Sequence, residues 1–571
     1  MIKIERKMTE KAQKAVESLQ KAKAKGGSYN IEAVNAALRE MFHGKCYICE
    51  NKKITSYQIE HLSAHRGNDD LKYDWNNLFL SCAHCNNTKL GRYEPIIDCT
   101  KVNVEELIAF RKKGYFGTDE ELIFDMLDSD EKVVNTVRLL AENYMMTARD
   151  YAEWGAYDEA VLVLGCCTKQ QPMLLYYKAY YLAEKSGSEE EARLALKAAE
   201  EQRPDYCFPN KLEDIAVLQS AIDKGCHAKA PYYLGNLYYD KLQWQEAVRL
   251  WELSAQTDSA FPTVHRNLAL AYYNKCKEPE KAKQALEKAF SLNPSDVRIF
   301  LELDQLHKKL GWSFEERLAD YEAHTALLEG RDDLYIEYIT LVNLTGNHTK
   351  AYECIMGHKF HPWEGGEGKI TTQYTLALLA MAQDALRQKD YAKAEELLRK
   401  AFVYPENLGE GKLEGTKDNH LYYHLGLALE GQGRTAEAEE CFRNATLGTD
   451  EPAGAMYYND QPADMILYQG LSYLKLGRIR EARARFYRLI DYGERHLNDE
   501  VKIQYFAVSL PEFLIFDEDY TLRNRAHCYY LMALGNMGIG DTDKASAFLA
   551  QAVAVEPSHM MCRVYQAQMA E

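Results

Sequence analysis

The chain lacks any apolar run approaching the roughly 18 residues that mark a membrane-crossing helix. It is also thin in cysteine, with 14 in 571 residues. Most of these stand alone (Cys99, Cys207, Cys226, Cys276, Cys354, Cys441, Cys528, Cys562). Such sparsity excludes a secreted disulfide framework and suits a reducing compartment. The first 27 residues are studded with charge and hold no apolar core of a secretion signal, so a cytoplasmic location is expected and a membrane partner is not. An overall basic excess is missing too, since the net charge is −17. That total hides an asymmetry. Residues 1–100 carry 16 Lys+Arg against 12 Asp+Glu, whereas the remainder carries 53 against 74. A mildly basic head can approach a polyanion; a strongly acidic body is repelled by one and suits protein partners. What is present is ordinary globular composition, 46% hydrophobic and 27% charged, which argues against wholesale disorder. At roughly 150 residues per domain the length implies several units.

The body repeats itself. Leu234-Gly235, Tyr238, Ala247 and Trp251 recur as Leu268-Ala269, Tyr272, Ala282, Leu286, Ala289 and Pro294 with one residue inserted. They recur again as Leu425-Gly426, Ala438, Phe442 and Ala445, and as Gly470, Tyr473, Ala482 and Phe486. Degenerate copies fall at Ala148, Tyr151, Ala160 and Leu164, at Ala394, Leu398 and Ala401, and at Ala533, Ala545, Leu549, Ala552 and Pro557. This is the frame of the tetratricopeptide repeat, in which small residues let paired helices approach and bulky ones fill the groove between pairs. One pair cannot bury its own face, so an α-solenoid is expected over 145–571. The 40 tyrosines follow the repeat spacing and are expected to pack between helices rather than to stack on bases.

Two segments interrupt the frame, His361 to Lys369 and Tyr404 to Lys412, and both end in Gly-Glu-Gly-Lys. They resemble loops in the C-terminal repeats of a family of large bacterial proteins of unknown function, where the repeats follow a β-sandwich often linked to carbohydrate. The sandwich is absent here, and the resemblance leaves a sugar-related or loop-capture role open. A Walker phosphate loop is excluded because Ile370 and Leu413 occupy the hydroxyl position. Structural turns are the expectation.

The chemistry gathers in the head. Cys46-x-x-Cys49 and Cys82-x-x-Cys85 are two knuckles some thirty residues apart, a spacing suited to a closed, structural Zn²⁺ site. Between them Thr55 to His61 alternates like a short strand. A polar turn at His65 to Asn68 follows, then Asp74-Trp75-Asn76-Asn77-Leu78 leads into a second strand, and Cys85-Asn86-Asn87-Thr88-Lys89 opens a helix. Strand, strand, helix with Glu-His, Asn and Asn in order closely resembles the HNH, or ββα-metal, endonucleases, in particular those found with retrons and Septu anti-phage systems. The similarity runs from about residue 30 to about 142, where Val133 to Leu140 looks like the closing helix.

The resemblance implies a metal-dependent endonuclease acting on DNA. Phosphodiester hydrolysis needs a base for water and a cation for the developing charge. His61 matches the base, Asn77 the residue that orients it, and Glu60 with Asn86 the pair holding one Mg²⁺ or Mn²⁺. Lys89, Arg66 and Arg92 are expected at phosphates; His43, His65 and His84 are expected at the surface or behind the site. Glu60 departs from the commoner Asp but matches the retron-associated group. Eight basic residues in the first 25, against three Glu, read as a helix that touches phosphate or as a solvated helix burying Ile4, Met8 and Ala12.

The architecture expected is mainly α: a basic helix over 1–30, a zinc-stapled ββα head over 31–144, and a solenoid over 145–571 that recruits or senses a protein partner. The resemblance implies anti-phage defence as the setting and a separate ATPase as a gating partner. The alternative is a non-catalytic zinc-containing nucleic-acid-binding protein or a repeat adaptor.

Overall fold

In the computed structural model the chain is described over residues 1–52, 56–91, 93–113, 121–165, 171–204, 207–361, 363, 365–454, 461–502 and 515–570. It is mainly helical and divides into two compact units, Met1–Ser259 and Ala260–Glu571.

The first unit opens with α1 (Glu10–Ala24), whose start is set by Thr9 accepting a hydrogen bond from the Ala12 backbone N–H at 3.3 Å. Ala12, Ala15 and Leu19 fall at helical spacing and are buried with Val34, Ala37 and Leu38 of α2 (Glu32–Met41). Of Ile4, Met8 and Ala12, expected on one buried face, Ile4 and Ala12 are buried and Met8 is exposed; the Ile4 N–H donates to Cys99 O at 2.9 Å. Arg6 is not a free surface cation either. Its guanidinium donates to the carbonyls of Trp75 (2.9 Å) and Leu78 (2.7 Å) and lies 4.6 Å from the Phe79 ring centre, which staples the N-terminal segment to the head.

β1 (Tyr57–His61) pairs antiparallel with β2 (Leu78–Cys82), in register from Tyr57 opposite Cys82 to His61 opposite Leu78. Between them lie a single turn, α3 (Asp69–Lys72), started by Asn68, and a 3₁₀ turn over Trp75–Asn77, started by Asp74. α4 (Ala83–Lys89) follows β2 directly. β2 is buried along its whole length, the polar Ser81 included. A second hairpin, β3 (Ile108–Lys113) with β4 (Glu121–Met126), was not expected. α5 (Glu131–Glu153) then sends Val133, Val137 and Leu140 into the core of the head and buries Ala148, the first small residue of the repeat pattern. Its backbone runs unbroken across Tyr144 and Met145.

Helix pairs follow, such as Ala230–Asp240 with Trp244–Thr257. The repeat glycine has a steric cause: a Cβ on Gly235 would lie 2.5 Å from the Trp251 indole nitrogen.

The second unit is built of the same pairs, among them Pro262–Ala271 with Pro279–Leu292, Asn419–Gly431 with Thr435–Asn444, and Asp464–Lys475 with Ile479–His496. A Cβ on Gly426 would meet the Phe442 ring at 2.5 Å, and one on Gly470 would collide with Phe486. The repeat alanines Ala282, Ala289, Ala394, Ala401, Ala445, Ala482, Ala545 and Ala552 are all fully buried. The inserted residue of the second copy appears as a π-helical turn at Tyr272–Cys276, which wraps five residues where four would serve and ends on Lys277 at φ 59°. The closing helix, Met560–Ala570, returns to helices far earlier in the chain. Gln568 donates to Gln383 at 3.1 Å, and Arg563 pairs with Glu315 at 2.5 Å. Asn274 similarly donates to Ile515 O at 2.8 Å, and Lys309 pairs with Glu518 at 3.1 Å. Among the described residues no helix is long and apolar enough to cross a membrane.

Candidate functional site

The β1–β2 register places the two knuckles together. Cys46 and Cys49 lie on the loop after α2, Cys82 ends β2, and Cys85 sits in the first turn of α4, where its N–H donates to Cys82 Sγ at 3.3 Å. The ligand atoms of Cys46, Cys49, Cys82 and Cys85 all lie within 4.8 Å of one another. Four thiolates at about 2.3 Å from Zn²⁺ stand about 3.8 Å apart at the corners of a tetrahedron, and Cys49 Sγ is 3.9 Å from Cys82 Sγ. The four-sulfur donor set fits a structural zinc with no open position. Cys49 is exposed while the other three are buried.

The strand end carries His61. Its Nε2–H donates to the Lys72 carbonyl at 3.1 Å; a carbonyl only accepts, so Nε2 carries the proton and Nδ1 keeps the lone pair. The ring is flanked edge-on by Tyr29 at 4.7 Å and by His65 at 4.8 Å between centres. Burial holds the imidazole below its ordinary pKa. Asn77 supports this end of the sheet. Its amide donates to Ser63 O (2.9 Å) and Leu71 O (3.0 Å), and its Oδ1 accepts from Ser63 N–H (2.9 Å). It therefore ties the backbone two residues beyond His61 to the turn that supplies Lys72.

Glu60 points the other way from His61, as adjacent strand residues must, and is buried. One carboxylate oxygen pairs with Lys89 Nζ at 2.7 Å and the other accepts from the Tyr47 hydroxyl. Burial raises the Glu60 pKa, and the Lys89 charge opposes that rise. Asn86 donates its amide hydrogen to Gln58 Oε1 at 2.5 Å. Both oxygens of Glu60 are thus engaged, and the residues as arranged do not fit a hard-cation site on Glu60 and Asn86.

Lys89 is not a surface cation. It is fully buried and spends its ammonium on Glu60, on Glu94 at 3.2 Å and on the His61 carbonyl at 3.0 Å, so in this arrangement it cannot meet a phosphate. Arg66 is exposed in a left-handed turn at φ 42°, next to His65, whose ring packs edge-on against His61. Arg92 and Thr55 lie outside the described residues. The structure brings together His61 with Asn77, and Glu60 with Lys89. It adds Tyr29, Tyr47, Gln58 and Glu94, which sequence reasoning missed. Gln58 was legible as Glu60's neighbour on one strand face; for Glu94 no local signal exists.

A family model for the tetratricopeptide repeat matches residues 266–296 and 420–447, so the chain carries tetratricopeptide repeats. The Septu protein PtuB of Bacillus mycoides (strain KBAB4) is 37% identical over 84 residues, 12% of this chain and 28% of that relative. The chain therefore spans less than a third of that relative's own length. Among solved structures, a tetratricopeptide repeat protein from Parabacteroides merdae ATCC 43184 is 15% identical, with 51% of this chain and 98% of that one covered and a TM-score of 0.22. The Cut9–Hcn1 hetero-tetramer of APC/C is 11% identical, covering 76% and 77%, with a TM-score of 0.24.

Proposed function

We propose that the head hydrolyses phosphodiester bonds in DNA and that the repeats recruit or sense a protein partner, with anti-phage defence in the cytoplasm as the setting. The observation that carries this reading is His61, clamped through Nε2 at a strand end so that Nδ1 is available as a base for water. The partial identity with the Septu protein PtuB supports it. In this reading Asn77 fixes the segment on which His61 and Lys72 sit, Arg66 and Arg92 steer the phosphate backbone, and the zinc on Cys46, Cys49, Cys82 and Cys85 holds the two strands and α4 in place without touching substrate. The head spans 31–144 and the repeats 145–571, with a gating ATPase as the class of partner that the family resemblance suggests.

A second reading has a specific observation in its favour. Glu60 and Asn86 are engaged with Lys89, Tyr47 and Gln58, and Lys89 is turned inward. A head so arranged binds nucleic acid, or carries the repeats as an adaptor, without cutting. Supercoiled-plasmid nicking by the wild type and by His61→Ala separates the two. The first reading expects nicking by the wild type and none by a folded His61→Ala protein; equal behaviour of both proteins, with DNA binding indifferent to Mg²⁺, supports the second.

A further inference from the structure

The unit Ala260–Glu571 contains a cavity of about 1020 Å³, just above the roughly 300–1,000 Å³ of ordinary ligand pockets. It exists because the closing helix Met560–Ala570 returns against helices much earlier in the chain and walls off the space between them. Leu376, Leu379, Met465, Met561 and Val564 give it apolar walls. Both Gly-Glu-Gly-Lys loops reach it, joined by Gly368 N–H donating to the Glu410 carboxylate at 2.9 Å.

The charge in the lining is lopsided once internal pairs are removed. Arg387 is paired with Asp384, Asp418 with Lys412 at 2.7 Å, and Arg563 with Glu315 at 2.5 Å. Glu367, Glu410, Glu414 and Asp464 then remain without an ion-pair partner among the described residues, against Lys417 alone. Asp464 is the deepest of these at 8% exposed. Tyr565 stands over it, with its hydroxyl 3.5 Å from the carboxylate and 3.4 Å from the Tyr468 hydroxyl. Beside them the His420 Nδ1 atom is shielded from solvent and has no hydrogen-bond partner among the described residues. A deep carboxylate beside two tyrosine hydroxyls, in a lining with an excess of unpaired carboxylates, makes a receptor for a hydrogen-bond-donating cation.

We propose that this cavity binds an alkyl cation, a primary amine or guanidine on an apolar stem. The head lies among Asp464, Tyr468, Tyr565 and His420, and the stem lies along Leu376, Leu379 and Met465. The cation belongs either to a free aliphatic amine or to a basic side chain of a short peptide. The site is independent of the chemistry of the head.

Isothermal titration of the full chain with 1,5-diaminopentane and with the capped peptide acetyl-Leu-Lys-Leu-amide distinguishes the two sources, with 1-pentanol and glucose as uncharged comparators. Saturable binding of the diamine or the peptide is expected, at least tenfold tighter than 1-pentanol and weakened at least tenfold by Asp464→Asn. Glu414→Gln, at an exposed position, is expected to weaken it by a smaller factor and decides the matter if Asp464→Asn does not fold. Binding of the diamine alone assigns a free amine, and binding of the peptide alone assigns a side chain. Absence of binding by both, equal binding of 1-pentanol or glucose, or unchanged affinity in the folded variants overturns the proposal.

Discussion

Lys89 shows how one side chain changes the meaning of a motif. Within Cys-x-x-Cys-Asn-x-x-Lys it reads as a cation offered to phosphate, yet it is fully buried against Glu60. The correct reading was present in the helix period: Cys85, Thr88 and Lys89 stand at i, i+3 and i+4 and are the buried face of α4. What the period could not disclose is the partner, because Glu60 comes from a strand 29 positions earlier and only the fold joins them. A buried charge left alone is expensive, so Lys89→Met is expected to destabilise the head by about 3–5 kcal/mol. The double replacement Lys89→Met with Glu60→Gln should recover much of that loss. Denaturant unfolding of the two singles and the double measures the coupling; additive losses would show that the pair does not hold the head together.

At the scale of elements, the parts fixed by short-range spacing were the legible ones. The paired cysteines marked both knuckles, and the alternation before His61 marked β1. The β3–β4 hairpin was missed although two runs flank a Gly-containing stretch, because Ile108 to Lys113 mixes apolar and basic residues without a clean period of two. The four-cysteine cluster sits where the loop after α2, β2 and α4 converge. Cys82→Ser, or prolonged chelation, is therefore expected to loosen the head, seen as new proteolysis between residues 40 and 100 and as loss of about one zinc per chain; unchanged protection in zinc-free protein would contradict the role assigned. In the repeats, the Leu-Gly to Phe spacing foretold a steric contact that the structure contains. Gly426→Ala drives a methyl into the Phe442 ring and is expected to cost about 1–3 kcal/mol. Gly357→Ala, where no atom lies within 4 Å of the new carbon, should stay within about 0.5 kcal/mol. Thermal unfolding of the two variants ranks them.

For the molecule as a whole, the repeat array was legible, but the return of the chain upon itself within the unit Ala260–Glu571 was not. Nothing local in Arg563 or Gln568 points to Glu315 or Gln383, which lie 248 and 185 positions away. That packing also buries titratable groups. Burial holds His307, His424, His527 and His559 down to about 4, below an unfolded value near 6.5. Their unfolded forms bind protons first as pH falls, so the stability they leave intact above about 6.5 is lost progressively toward 4. Asp464, raised to about 6 by burial, and the carboxyls of Glu410, Asp418 and Glu556, also raised by burial, act in the opposite sense, while His420, held down to about 3, adds a fifth histidine to the losing side. The melting temperature of the full chain is expected to fall between pH 7 and pH 4.5, and His424→Gln is expected to reduce that slope; a flat profile would contradict it.

In the proposed function the head cuts DNA with His61, while a zinc on Cys46, Cys49, Cys82 and Cys85 only holds it together. This function is tested most directly by nicking of supercoiled plasmid, with zinc content determined on the same samples, for the wild type and His61→Ala in Mg²⁺, in Mn²⁺ and after brief EDTA treatment. About one zinc per chain is expected in both proteins, with nicking by the wild type and none by His61→Ala. Zinc retained in both proteins with no nicking by the wild type under any condition, with the repeat partner present or absent, would contradict it.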